Sequence, residues 1–196
     1  MKKIIIFFFS IVTVSLLGSV QNGESAPGFT LNNLDGEAIS LSDFSGKIVV
    51  LEWINPGCPF VRKFYTNGDM GKFQKAAADM GMVWLSINST SESHGDYLTP
   101  SASESWADKH GHAATWLMDS DGKVGKAYGA RTTPHMFIIN VDGEVVYQGA
   151  IDSIRDADPA SISSATNYVM DALSALEAGK SISETRTRPY GCSVKY

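Results

Sequence analysis

Residues 48–65 constrain this 196-residue chain more than any other stretch. Ile48 to Ile54 is an apolar, β-branched run broken only by Glu52, which predicts a buried strand. Asn55-Pro56-Gly57 ends it with three turn-forming residues. Cys58 follows at once, and Pro59 suits a first helical turn because its missing N–H costs nothing there. Phe60, Val61, Phe64 and Tyr65 then recur at a spacing that gives a helix one apolar side. A cysteine at a strand-to-helix turn lies where the first helical N–H groups have no partner. The positive end of a helix favours thiolate over thiol there. One reading of Cys58 is therefore a nucleophilic thiolate. Two others stand beside it: a buried apolar cysteine, and half of a structural disulfide.

The N-terminus differs from the rest. Lys2 and Lys3 precede an apolar run from Ile4 to Leu17, and Gly18-Ser19-Val20 supplies small residues. That is the pattern of a secretory signal peptide over roughly residues 1–20. A retained anchor is the alternative, though the run is short for a membrane span. Removing the two lysines changes the formal charge from −5 to −7. An acidic, exported chain without a basic cluster excludes nucleic acid as a partner, and leaves membrane contact only to an uncleaved N-terminal segment. The expected location is periplasmic or extracellular, where cysteine pairs persist. The chain has two cysteines, Cys58 and Cys192. Joined, they would close a loop worth roughly 5 kcal/mol in an entropic account, so a staple competes with a catalytic pair.

Asp35-Gly36 between short apolar segments predicts an N-terminal β-hairpin. The helix after Cys58 should break near Gly68 and Gly71, resume through Ala78 and lead to a second buried strand, Met82–Ile87. Strand, helix, strand implies a parallel crossover. Residues 88–100 are a polar loop, and Ser101–Lys109 is a helix capped by Ser101 or Ser103. Thr115–Met118 is a short strand, Lys123–Tyr128 a short helix, and His135–Gln148 a hairpin around Asp142-Gly143. Ala160–Ala178 is the last helix, and the tail 181–196 is polar and irregular. One α/β domain, residues 25–180, is expected: a central mixed sheet flanked by helices.

The pattern resembles the thioredoxin-like superfamily, in its redoxin or AhpC/TSA branch, which includes peroxiredoxins and TlpA-like reductases. Ala26-Pro-Gly-Phe-Thr-Leu31 with Ile39-Ser-Leu-Ser-Asp-Phe44 is similar to the N-terminal extension of that branch. Tyr128-Gly-Ala-Arg-Thr-Thr-Pro134 is similar to a thioredoxin cis-proline loop, and Ile138-Ile-Asn-Val-Asp-Gly143 to the hairpin after it. Cys58-Pro-Phe-Val61 and the tail Arg188-Pro-Tyr-Gly-Cys192 resemble an exported bacterial subfamily. The resemblance implies thiol chemistry at Cys58, with protein thiols and disulfides or small peroxides as substrates and a thiol electron donor. It implies a cis Thr133-Pro134 bond that offers the Thr133 backbone to an extended substrate. Either reaction needs a second thiol for resolution, and Cys192 on the polar tail is the only internal candidate.

Three departures matter. Val61 stands where a Cys-x-x-Cys motif has its second cysteine, and Asn55 where a peroxiredoxin has threonine. Pro134 stands about where the peroxiredoxin arginine belongs, which leaves Arg131, or Arg62, to stabilise a leaving hydroxide. The expectation is thiol–disulfide exchange by Cys58 and Cys192. Alternatives are a thiol peroxidase and a non-enzymatic binding module stapled by a disulfide. Arg62 and Lys63 are expected on a solvated face, Glu52 at the strand margin beside a cation or as a buried proton shuttle, and His135 at an exposed strand start or near the thiolate. His94, His110 and His112 lack zinc spacing, and no phosphate loop or Rossmann fingerprint is present. Neither a metal nor a cofactor is expected.

Overall fold

A computed structural model describes residues 19–196; the expected signal segment lies almost wholly outside them. Seven strands form one mixed sheet: β1 (Thr30–Asn33), β2 (Ala38–Ser40), β3 (Val49–Trp53), β4 (Val83–Asn88), β5 (Thr115–Met118), β7 (His135–Ile139) and β8 (Val145–Gly149). Their order is β2-β1-β5-β4-β3-β7-β8. Two short strands, β6 (Thr132–Thr133) and β9 (Cys192–Ser193), pair apart from it.

The central pairs β3/β4 and β4/β5 are parallel, joined by helical crossovers, while β7 returns antiparallel to β3. The N-terminal hairpin β1/β2 adds to the sheet through β5. Alternation along β3 explains the two apolar layers. Val50 and Ile54 face a layer built with Val61, Phe64, Met70, Ala107 and Leu173, from helices α1 (Pro59–Tyr65), α2 (Asp69–Asp79), α3 (Pro100–Lys109) and α5 (Tyr168–Glu177). Val49, Leu51 and Trp53 face the other, with Phe137 and with Tyr128 of α4 (Lys123–Tyr128). No helix among the described residues is long and apolar enough to cross a membrane.

The break between α1 and α2 falls where the glycines put it. Gly68 caps α2 at φ +71°, a conformation that glycine adopts without steric cost. Two boundaries differ from the sequence pattern. The cap of α3 is Thr99, not Ser101 or Ser103, because Pro100 fills the first helical position and Thr99 Oγ1 accepts the Ala102 N–H. The last helix begins at Tyr168, capped by Asn167; residues Pro159–Ser164 form a separate 3-10 turn. Asn167 and Asp158 each cap their own segment, so the apolar spacing continues across two elements. The tail is not irregular throughout: Gln148 N–H donates to Thr185, Thr187 N–H donates back to Gln148, and β9 lies on β6.

Candidate active site

The turn after β3 is held by its own atoms. Asn55 Oδ1 accepts the Gly57 N–H at 2.7 Å, and the Asn55 carbonyl accepts the Cys58 N–H at 3.0 Å. Arg62 Nε donates to the Pro56 carbonyl at 2.9 Å. Cys58 is the N-cap of α1, and its carbonyl accepts the Val61 and Arg62 N–H groups. The side chain is 2% exposed.

Three segments meet at its sulfur. The Cys58 thiol donates to the Thr133 carbonyl at 2.9 Å, and the Thr133–Pro134 bond is cis. The Cys192 N–H donates to Cys58 Sγ at 3.4 Å. Cys192 reaches that point because β9 pairs antiparallel with β6, Thr133 opposite Cys192 and Thr132 opposite Ser193. The Val194 N–H then donates to the Arg131 carbonyl at 3.1 Å. Cys58, Thr133, Pro134 and Cys192 thus converge, and both cysteines are free thiols. Burial pushes the Cys192 thiol up to about 11, helped by its contact with the Cys58 thiol and by the charge Cys58 carries when ionised. The Cys192 N–H and the Cys192 thiol both contact Cys58 Sγ.

Arg131 is not brought to the sulfur. Its backbone belongs to the platform, but its side chain lines a small cavity with Ser19, His135 and Arg186, and no hydrogen bond or ion pair among the described residues links it to Cys58. Arg62 is exposed and spends its Nε on the turn.

Three charged or polar groups lie elsewhere than the sequence pattern suggests. Lys63 is not on a solvated face: its ammonium is buried, 2.9 Å from Asp152 and 3.3 Å from Asp156, and donates to the Ile154 carbonyl and to Tyr190. Tyr190 in turn donates to Asp152. The reason is the tail, which covers this side of α1; Tyr190 sets its ring edge-on to Phe60. Glu52 is not paired with a cation at the strand margin. It is fully buried and accepts from Tyr65, Gln74, Trp84 and Ser86. Burial raises its pKa, against the pull of those four donors. Its bonds run through Ser86 to His112 and away from the thiol, so they fasten α2 and the strands together rather than serve Cys58. His135 is buried, not exposed, and burial holds it down to about 3, so it is neutral at ordinary pH. Among the described residues no three His, Cys, Asp or Glu side chains gather as a metal-ligand set, and the histidines do not join Cys58.

Sequence reasoning overlooked Asp152, which carries no motif, and the anchoring role of Tyr190. The spacing Tyr190-Gly191-Cys192 was the available signal for the second.

The model of the AhpC/TSA family matches residues 22–148, about two thirds of the chain. This chain belongs to the AhpC/TSA family. It is 32% identical over 124 residues to a chloroplastic peroxiredoxin Q of Populus jackii, covering 61% of this chain and 52% of that protein. It is 29% identical over 124 residues to the thiol-disulfide oxidoreductase ResA of Halalkalibacterium halodurans, covering 63% and 65%. The chain thus matches between half and two thirds of the length of these relatives. Among solved structures, a hypothetical protein from Sinorhizobium meliloti superposes with a TM-score of 0.79 at 26% identity, over 91% of this chain and 96% of that one. The thioredoxin domain of a thiol-disulfide oxidoreductase from Bacteroides vulgatus gives 0.54 at 22% identity, over 74% and 97%. The fold is thioredoxin-like, with the N-terminal hairpin extension expected of it. Cys58, Arg131, Thr133 and Pro134 fall within the family match, and Cys192 lies outside it.

Proposed function

We propose that this protein is an exported thiol–disulfide oxidoreductase in which Cys58 is the nucleophile and Cys192, on the tail, resolves. The observation that carries the reading is the meeting of two cysteines from opposite ends of the domain, Cys192 N–H against Cys58 Sγ at 3.4 Å. The kinship with ResA and peroxiredoxin Q supports thiol-based redox chemistry in general.

In the forward step the Cys58 thiolate attacks one sulfur of a substrate disulfide. A mixed disulfide forms at Cys58 and one substrate thiolate leaves. The Cys192 thiol then gives up its proton and attacks Cys58 Sγ. The Cys58–Cys192 bond forms, the second substrate thiolate leaves, and two electrons have passed from the cysteine pair to the substrate. A thiol donor returns them. Thr133 and Pro134 form the platform beside the sulfur, residues 25–180 the redox domain and 181–196 the arm that carries the resolver. Residues 1–20 direct the chain to an oxidising compartment, the periplasm or the cell exterior.

Peroxide reduction is the second reading, favoured by the likeness to peroxiredoxin Q. It lacks an arginine on the sulfur, since neither Arg62 nor Arg131 bonds to Cys58. The reading is tested by mixing reduced protein with a disulfide substrate. Wild type should turn over and end as the Cys58–Cys192 disulfide. Cys192→Ser should stop at a trapped mixed disulfide after one turnover, and Cys58→Ser should show neither. Rapid hydrogen peroxide consumption with slow disulfide exchange would overturn it in favour of the peroxidase. Sequencing the N-terminus of the secreted or periplasmic fraction checks export.

A further inference from the structure

A small cavity of about 50 Å³ lies between the cis-proline loop and the tail. Arg131 and His135 reach it from either side of Thr133-Pro134, and Arg186 reaches it from the tail. His135 is 4% exposed. Its Nδ1 accepts the Arg131 N–H at 3.3 Å, so the neutral ring carries its proton on Nε2. That second N–H has no partner among the described residues and is the polar edge left to face the cavity. Burial first, and then the charges of Arg131 and Arg186, keep the ring neutral, so both guanidinium groups act on the same imidazole. Arg186 is fixed by one bond, from Nη1 to Gln21 Oε1 at 2.8 Å, which leaves most of its fork unspent. The Arg131 side chain makes no hydrogen bond or ion pair among the described residues.

Two cations around one space repel each other until an anion joins them. The chain has 21 acidic residues against 16 basic ones, yet no carboxylate lines this cavity. We propose that Arg131, Arg186 and the His135 Nε2–H form a binding site for a carboxylate anion. The planar fork of a guanidinium matches the two oxygens of a carboxylate, and a neutral imidazole N–H donates to one of them without adding a third positive charge. The volume admits about four water-sized groups, the size of an acetate ion. The ligand is therefore a short carboxylic acid, or the carboxylate end of a longer molecule. None of the three donors comes from the expected signal segment, so a processed chain keeps them all. The bound anion joins the loop that carries Thr133 to the tail that carries Cys192, and its binding requires no reaction at Cys58.

The test titrates the purified, reduced protein with sodium acetate in place of sodium chloride at constant ionic strength, and follows the His135 ring by NMR. The ring signals should shift and saturate with a Kd of about 1 mM, an affinity that four heavy atoms can supply. Arg131→Gln and Arg186→Gln should each weaken binding about tenfold or more, the worth of one charge-assisted pair. Both side chains are exposed, so neither change disturbs the core. Arg155→Gln removes an equal charge from an exposed position outside the cavity and should bind as wild type does. Acetyl-trialanine and its C-terminal amide separate the sources of the carboxylate. Displacement of acetate by the acid alone supports the site and names a chain end as its ligand; displacement by neither supports it with a free short acid. A shift that stays linear in acetate, an equal loss in Arg155→Gln, or sulfate displacing acetate at a lower concentration than acetate itself requires would overturn the carboxylate site. Thiol–disulfide exchange at Cys58 and Cys192 is measured without acetate, so either result leaves that reaction to its own test.

Discussion

Replacing Lys63 by methionine should destabilise the reduced protein by about 3–5 kcal/mol, the usual cost of removing one partner of a buried ion pair. The magnitude follows from what Lys63 leaves behind. Its ammonium has no exposed surface, and Asp152 opposite it is 2% exposed. Methionine fills the same volume and restores none of the bonds. Asp156, whose side chain is 44% exposed, turns to water. Asp152 cannot, and keeps only the Tyr190 hydroxyl and its local backbone contact at Ile154. Uncompensated charge in the interior accounts for most of the cost. For a domain of this size the loss lowers Tm by about 6–20 °C. Urea unfolding followed by circular dichroism, with reductant present, gives the free energy. The double variant Lys63→Met/Asp152→Leu removes both charges and should recover at least half of the loss, because two apolar groups cost less than one orphaned carboxylate. If Lys63→Met falls within about 1 kcal/mol of wild type, the pair is not desolvated. If the double variant is less stable than the single one, the orphaned charge is not the cause of the loss.

Three further outcomes follow from the same structure. The Cys192 thiol should titrate near 11 in the reduced protein, and Cys58→Ser should lower that midpoint by removing a charge and a sulfur contact, as read by alkylation rate against pH. His112 is held down to about 4 by burial against an ordinary 6.5, so the unfolded chain takes up its proton first as pH falls. Stability should therefore drop between pH 6.5 and about 4, by up to about 3 kcal/mol; His112→Gln, which can still bond Ser86, should flatten that slope in denaturation measured at several pH values, whereas an unchanged slope refutes the assignment. Glu52→Gln should leave the disulfide-exchange rate unchanged and cost about 1–3 kcal/mol, since its amide oxygen still accepts from Trp84, Ser86 and Gln74 while the Tyr65 hydroxyl loses its acceptor. Glu52→Leu orphans those donors and should cost about 2–4 kcal/mol; a fall in exchange rate with Glu52→Gln would show that the carboxyl moves a proton for Cys58 after all.

The strand, the turn and Cys58 were legible because local signals agree there: apolar run, three turn residues, then proline at the first helical position. The parallel crossover and the hairpin around Gly143 were legible for the same reason. Lys63 was not. Its neighbours on α1 predict a polar face, and what buries it comes from residues 152–156 and 190, about 90 and 127 positions away. Glu52 was half legible: alternation along β3 puts it with Val50 and Ile54 toward the helices, but its donors come from α1, α2 and β4. Arg131 was placed by spacing alone, and spacing does not say that the backbone of a loop joins a platform while the side chain turns to a cavity. The tail was the largest gap, since a two-residue strand has too short a pattern to be read.

That gap bears on how a single cysteine at the start of a helix can run a two-cysteine reaction. In a Cys-x-x-Cys arrangement the resolver sits on the helix, permanently beside the nucleophile. Here that position is Val61, 1% exposed and part of the layer between α1 and the sheet. The core therefore claims the site a resolver would need. The second cysteine arrives instead from the outer side of α1, on a segment that covers the sulfur and is joined to β6 by only two paired residues. A resolver on the helix cannot leave; one on a strand this short can, at the cost of a few hydrogen bonds of about 1 kcal/mol each. In the proposed exchange reaction, covering the thiol and resolving its mixed disulfide are two positions of one segment.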